Sequence, residues 1–193
     1  MDKKDESTKK LVKNIGFLTI SQFSTKILTF LLVPLYTSVL TTEEYGTYDF
    51  FTTTIGLLIP ILTLHIVEGI LRFSLDKDED SKTVFSSGVG VIAKGILFLG
   101  AIVLVNYIGD FSKVLNKYLV FFVLMFISDI SFQTLSYFAR GVNKVLAISI
   151  AGVISTVTVI VSNILFLLVI RLGLKGYFIA TILGNVTAVI FLT

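Results

Sequence analysis

The sequence predicts an all-α integral membrane protein built as a bundle of six transmembrane helices, and three observations carry that prediction. The 193 residues are 54% hydrophobic and only 15% charged, with a mean hydropathy of +0.92, whereas soluble domains carry about 25% charged residues. Six apolar runs approach or exceed the roughly 20 residues needed to cross a bilayer as a helix. No segment alternates with period two over its length, so none reads as a strand.

The runs fall at about 15–40, 48–73, 84–108, 118–138, 145–170 and 176–193. The first is interrupted only by Lys26, and the fifth contains no charge. The first run is too long for the apolar core of a signal peptide and lacks a small-x-small site after it, so it reads as an uncleaved first span. Pro34 and Pro60 both lie within runs, where neighbouring helices can satisfy the backbone groups a proline frees; kinked spans are expected there. Residues 1–13 form a polar tail, and residues 14–193 form one six-helix lobe. The sixth run is still crossing at Thr193, so the lobe is expected to be incomplete relative to a longer transporter.

Basic residues set the orientation. The tail carries Lys3, Lys4, Lys9, Lys10 and Lys13; the second loop carries Arg72, Lys77 and Lys82; the fourth carries Arg140 and Lys144. The opposite side has only Lys113, Lys117, Arg171 and Lys175. The positive-inside rule places the amino terminus in the cytoplasm. The acids Asp76, Asp78, Glu79 and Asp80 do not oppose this, since carboxylates contribute little to the rule.

Several chemistries are excluded. With no cysteine there is no disulfide, thiol nucleophile or cysteine metal site, and one histidine, His65, builds no histidine cluster. No Walker A sequence or HExxH occurs, and no nucleophile–base–acid set is visible. Neither an enzyme nor a cofactor or metal site is expected, and nothing suggests nucleic acid.

The informative residues are ionisable groups inside the apolar runs. Lys26, Lys94 and Asp129 lie about 17, 15 and 14 Å from the same face at 1.5 Å per residue. At about 3 kcal/mol each, leaving them unpaired would cost on the order of 9 kcal/mol. A Lys–Asp pair explains one lysine only; a hydrated cavity with excess positive charge, suited to an anionic ligand, explains both. Gln22, Lys26 and Thr29 form a polar stripe on the first helix, and Asp129, Gln133 and Tyr137 form one on the fourth, ending near Arg140. Glu68 and Arg72 share a face at i, i+4, where an intrahelical ion pair near the interface is the plain reading; His65 shares that face. Ala147, Ala151 and Ser155 permit close helix packing. Asn185-Val-Thr187 matches a glycosylation acceptor but lies within a span, where it is incidental.

Four short stretches go further. Pro34-Leu35-Tyr36-Thr37 with Thr42-Glu43-Glu44-Tyr45-Gly46, then Glu68-Gly69 with Arg72-Phe73, then Phe138-Ala139-Arg140-Gly141, and finally Lys175-Gly176-Tyr177 with Ala180 resemble, in order, the helix ends of the Wzx-type oligosaccharide flippases of the MATE-like (MOP) exporter superfamily. The resemblance implies one lobe of a two-lobed transporter in the bacterial plasma membrane. It would flip undecaprenyl-pyrophosphate-linked oligosaccharide by alternating access through a cationic cavity, with membrane lipids around it and polysaccharide polymerase machinery as a partner. Lys26 and Lys94 would be cavity cations, and Arg72 and Arg140 would stand nearer the cytoplasmic mouth. Asp129 and Glu68 would bind a coupling cation (Na+ or H+) or hold the basic groups. The alternatives are a cation-coupled multidrug antiporter of MATE type and a non-transporting membrane subunit.

Overall fold

The computed structural model describes residues 33–76 and 80–193, together with Gly16, Thr19 and Phe30. The described residues are helical with no strand. Helix α1 is described over residues 33–39. It is followed by α2 (Thr42–Leu62), α3 (Ile66–Ser74), α4 (Ser81–Gly109), the single turn α5 (Lys113–Lys117), α6 (Leu119–Gly141), α7 (Val145–Asn163), a π-helical segment (Ile164–Val169) and α8 (Leu174–Leu192). Four of these units are long and apolar enough to span a membrane: α4, α6, α7 with its π-segment, and α8. The bent pair α2–α3 makes a fifth. The first expected span lies mostly outside the described residues.

Helix α2 begins at Thr42, earlier than the expected 48. Thr41 is its cap: the Glu44 amide donates to Thr41 Oγ1 at 3.2 Å and the Thr41 amide donates to Glu44 Oε2 at 3.0 Å. This reciprocal capping box satisfies two N–H groups that a helix start otherwise leaves open.

The second span is not one helix. It breaks at Thr63–His65, and α3 leaves α2 at 61°. Pro60 cannot donate a backbone hydrogen bond, which weakens this turn. The chain then closes α2 with a Schellman pattern: the His65 amide donates to Pro60 O at 3.0 Å and the Leu64 amide to Ile61 O at 3.5 Å. That geometry puts Leu64 and His65 in the left-handed region, at φ 50° and 54°, which costs each about 1–2 kcal/mol. The break is seated on α4, because Gly95 has no side chain. A Cβ there would stand 2.7 Å from the carbonyl oxygen of Leu62.

The core lies where α2, α3, α4, α6 and α8 meet. Phe51, Phe122, Phe126 and Phe178 are fully buried, with Phe51 edge-on to Phe122 at 5.1 Å and stacked on Phe178 at 5.2 Å. Helix α7 packs mainly on α8; Ala151 is fully buried, and Gly184 lets α8 approach Val159 and the carbonyl of Ser155. Outward-facing side chains are apolar as well, including Leu57, Leu97, Phe98, Val161 and Ile190. Apolar residues on both the inner and outer sides, with backbone groups paired within helices, suit a lipid surround.

The resemblance stretches meet in pairs at the two ends of the bundle. At the Thr41 end, Tyr177 stacks between Tyr36 at 4.2 Å and Tyr48 at 3.7 Å. Glu44 Oε1 there accepts the Leu174 amide at 3.5 Å, beside Gly173 at φ 56°. At the Arg140 end, a Cβ on Gly141 would stand 2.5 Å from Ser74 Cβ and 3.2 Å from Leu71 O, so α6 and α3 touch backbone to side chain.

Candidate functional site

Two recesses among the described residues are lined by ionisable side chains. The first is a cleft of about 610 Å³ between α3 and α6 at the Arg140 end, lined by Glu68, Gly69, Leu71, Arg72, Phe73, Leu75, Tyr137 and Arg140. The close contact of Gly141 with α3 brings the two arginines to one recess although they are far apart in sequence. The Arg72 guanidinium lies 5.9 Å from the centre of the Phe73 ring, and that of Arg140 lies 5.3 Å from Tyr137. Such ring contacts hold a guanidinium without using its hydrogen-bond donors.

Glu68 does not pair with Arg72, correcting the plain i, i+4 reading. Its Oε1 lies 3.1 Å from His65 Nε2 instead. The reason is the break. His65 stands at the mouth of α3, three residues before Glu68, and takes the carboxylate first. Arg72 therefore keeps its donors for something else. Arg140 Nε is buried without a hydrogen-bond partner, and leaving a buried donor unmade costs about 1–3 kcal/mol. Ser74 Oγ and Ser136 Oγ, on α3 and α6, are also buried and unpartnered. With Leu71, Phe73 and Leu75 as apolar walls, the cleft can take an anion attached to a greasy chain.

The second recess is a pocket of about 210 Å³ lined by Thr52, Ile55, Met125, Asp129, Thr181 and Asn185, hence by α2, α6 and α8. The expected polar stripe on α6 is present: Gln133 Nε2 donates to Asp129 Oδ1 at 3.3 Å. No cationic side chain among the described residues lies within 4.0 Å of Asp129.

The remaining expected residues fall elsewhere. Lys94 is exposed on α4, between turns carrying exposed Val89, Leu97 and Phe98 and away from the buried face of Ile92, Gly95 and Leu99. The structure does not bring it to Asp129. Lys26 lies outside the described residues. Missed from the sequence were Thr52, Thr181 and Asn185. Hydroxyls in apolar helices commonly bond their own backbone, and Asn185 read as an incidental acceptor; only the convergence of three helices distinguishes them.

Outside the spans, Asp80 caps α4. Thr83 Oγ1 donates to Oδ2 at 2.8 Å, and the amides of Lys82 and Thr83 add bonds of 3.3 and 3.2 Å. These donors, the threonine hydroxyl foremost, hold its carboxyl below the usual value of 3.8.

A family model described as polysaccharide biosynthesis protein matches residues 11–193. No curated protein and no solved structure gives a match. With its several long apolar helices, this is a multi-pass membrane protein of a family whose role is that of a flippase or exporter rather than an enzyme. The chain belongs to the polysaccharide biosynthesis protein family, that of the Wzx-type flippases of the MOP superfamily.

Proposed function

We propose that the protein translocates undecaprenyl-pyrophosphate-linked oligosaccharide across the bacterial plasma membrane, these helices forming one lobe that rocks against a second. The observation that carries this reading is the α3–α6 cleft, where two arginines free of carboxylate partners stand beside apolar walls. Guanidinium matches the paired oxygens of a phosphate and stays charged in a low-dielectric site. Pyrophosphate would take the donors of Arg72 and the orphaned Nε of Arg140, while Leu71, Phe73 and Leu75 would receive the first isoprene units. Positive-inside orientation makes this the cytoplasmic mouth, where the substrate is loaded. Farther in, Lys26 and Lys94 would receive the anion as the lobes exchange access, Lys94 by facing the opposite lobe across the exposed side of α4. Glu68 acts through His65, holding its charge clear of Arg72.

The rival reading, a multidrug antiporter centred on Asp129, is disfavoured by size. Drug-sized ligands occupy pockets of about 300–1,000 Å³, and the Asp129 pocket is about 210 Å³.

The test replaces Arg72 and Arg140 together by alanine in the full-length protein and measures surface polysaccharide and the lipid-linked precursor left in the membrane. Export should fall by about tenfold or more, since each charged hydrogen bond is worth roughly 1.5–3 kcal/mol, with precursor accumulating and membrane abundance unchanged. Undiminished export at normal abundance would remove the site.

A further inference from the structure

A third recess borders the arginine cleft without sharing its charge. It is a crevice of about 260 Å³ between α3 and α4. Contact between Ile70 and Gly88 closes its floor, since a Cβ on Gly88 would collide with Ile70 Cδ1. Ile66, Phe73, Val84 and Val91 form apolar walls, and no charged side chain lines it. Thr83 lines it too, but its hydroxyl proton is committed to Asp80 Oδ2 at 2.8 Å. The α4 lining, from Thr83 to Val91, covers about 12 Å of helix at 1.5 Å per residue. The crevice therefore runs from the capped start of α4 toward the middle of the membrane.

Gly69 and Phe73 line both this crevice and the cleft of Arg72 and Arg140. Four residues apart on one helix, they share one ridge of α3, with the cleft on one flank and the crevice on the other. Gly69 is a notch in that ridge. A Cβ there would meet only Ile66 Cδ1, at 3.4 Å, so the point where the two recesses adjoin is open.

An uncharged groove in a lipid surround takes hydrocarbon, and the notch admits one chain. A diacyl phospholipid with its phosphate at the arginines would have two chains to seat; a polyprenyl phosphate has one. We propose that the α3–α4 crevice receives the isoprenoid chain of a polyprenyl phosphate whose anionic end lies at Arg72 and Arg140, the chain crossing α3 at Gly69. This rests on the flippase reading and adds to it. The first isoprene units lie on Leu71, Phe73 and Leu75, and the next leave the cleft through the notch. Recognition of the lipid carrier then resides in α3 and α4, independent of the sugar attached to it. Lipid or detergent already solvates the chain, so the crevice gains by close packing rather than by removing water.

The test compares two synthetic lipids, geranyl phosphate with two isoprene units and geranylgeranyl phosphate with four, on the purified full-length protein in detergent. Binding is read as the saturable rise in melting temperature, with lipid concentrations expressed per micelle. The shorter chain ends in the cleft and the longer reaches the crevice. Half-saturation should therefore come at about tenfold lower concentration for the longer, the equivalent of roughly ten close carbon–carbon contacts. Ser87→Phe fills the crevice from α4 and lies outside the cleft; it should erase that advantage and leave geranyl phosphate binding unchanged. Val91→Phe is the second filling variant and carries the comparison should Ser87→Phe melt lower without ligand. Dioleoyl phosphatidic acid, a phosphate on two acyl chains, should bind the parent protein and the filled variants equally. Three results overturn the crevice: equal half-saturation by the two polyprenyl phosphates, a chain-length advantage retained in both filled variants, or phosphatidic acid losing affinity in them as well. Failure of the cleft itself looks different: neither polyprenyl phosphate then binds, and the crevice proposal falls with it.

Discussion

Alanine at Gly95 is expected to destabilise the fold, while the same substitution at Gly100, one and a half turns along the same helix, is expected to stabilise it. At Gly95 the new Cβ would meet Leu62 O at 2.7 Å, its carbonyl carbon at 3.1 Å and Thr63 Cγ2 at 3.2 Å. A carbon–oxygen contact relaxes at about 3.3 Å, so the overlap is about 0.6 Å against a backbone carbonyl that cannot rotate away. Either α4 retreats or the α2–α3 break opens, and overpacking of this kind costs about 1–3 kcal/mol. At Gly100 nothing lies within 4 Å, and the residue is exposed. Only the helix-propensity gain of about 0.8–1 kcal/mol remains there. That gain is common to both sites, so the difference between the two variants isolates the overlap. Reversible unfolding in mixed micelles, followed by helicity, should separate them by about 1–3 kcal/mol. Equal stabilities for Gly95→Ala and Gly100→Ala would refute the account of how the break is seated.

Two further outcomes are expected. Leu64→Gly should stabilise the protein by about 1 kcal/mol in the same assay, because glycine adopts the left-handed conformation without the Cβ penalty and Leu64 is 80% exposed; destabilisation would mean that its side chain matters more than its backbone. The Asp80 cap contributes stability that is full well above 3.8 and is lost as pH falls below that value through its lower folded pKa. Melting curves against pH should therefore show a shallower acid limb in Asp80→Asn than in the parent protein, and identical limbs would dismiss the cap as a source of acid sensitivity.

How far the sequence reveals this architecture differs from element to element. Helices α4, α6, α7 and α8 follow from apolar length alone, since a lipid surround demands long uninterrupted helices. The start of α2 was also written in the sequence, as Thr41-x-x-Glu44, but the threonines and Gly46 around it read more readily as a loop. The break at Thr63–His65 was half visible. Pro60 announced a weak turn, whereas the left-handed Leu64 and His65 have no local signature, because the seat that stabilises them is Gly95 on another helix. The π-segment lies in a uniformly apolar run, Ile164–Val169, with no period to mark it. For the sites, residue type was readable and proximity was not. Arg72 and Arg140 carried the expected charge, but their shared cleft depends on the contact of Gly141 with α3. Lys94 carried the same signal and faces outward, since burial of a charge within an apolar run depends on helix rotation.

The carboxylate of Glu44 serves two helix starts, its own and that of α8, where it accepts the Leu174 amide 130 residues later in the chain. During synthesis α2 is inserted long before α8 exists, so one oxygen of this carboxylate must wait without its final partner. The Tyr36–Tyr177–Tyr48 stack is likewise unfinished until Tyr177 arrives. Completion of the Thr41 end therefore waits for α8. A ribosome paused before residue 174 would leave that end of the bundle without the contacts of Leu174 and Tyr177.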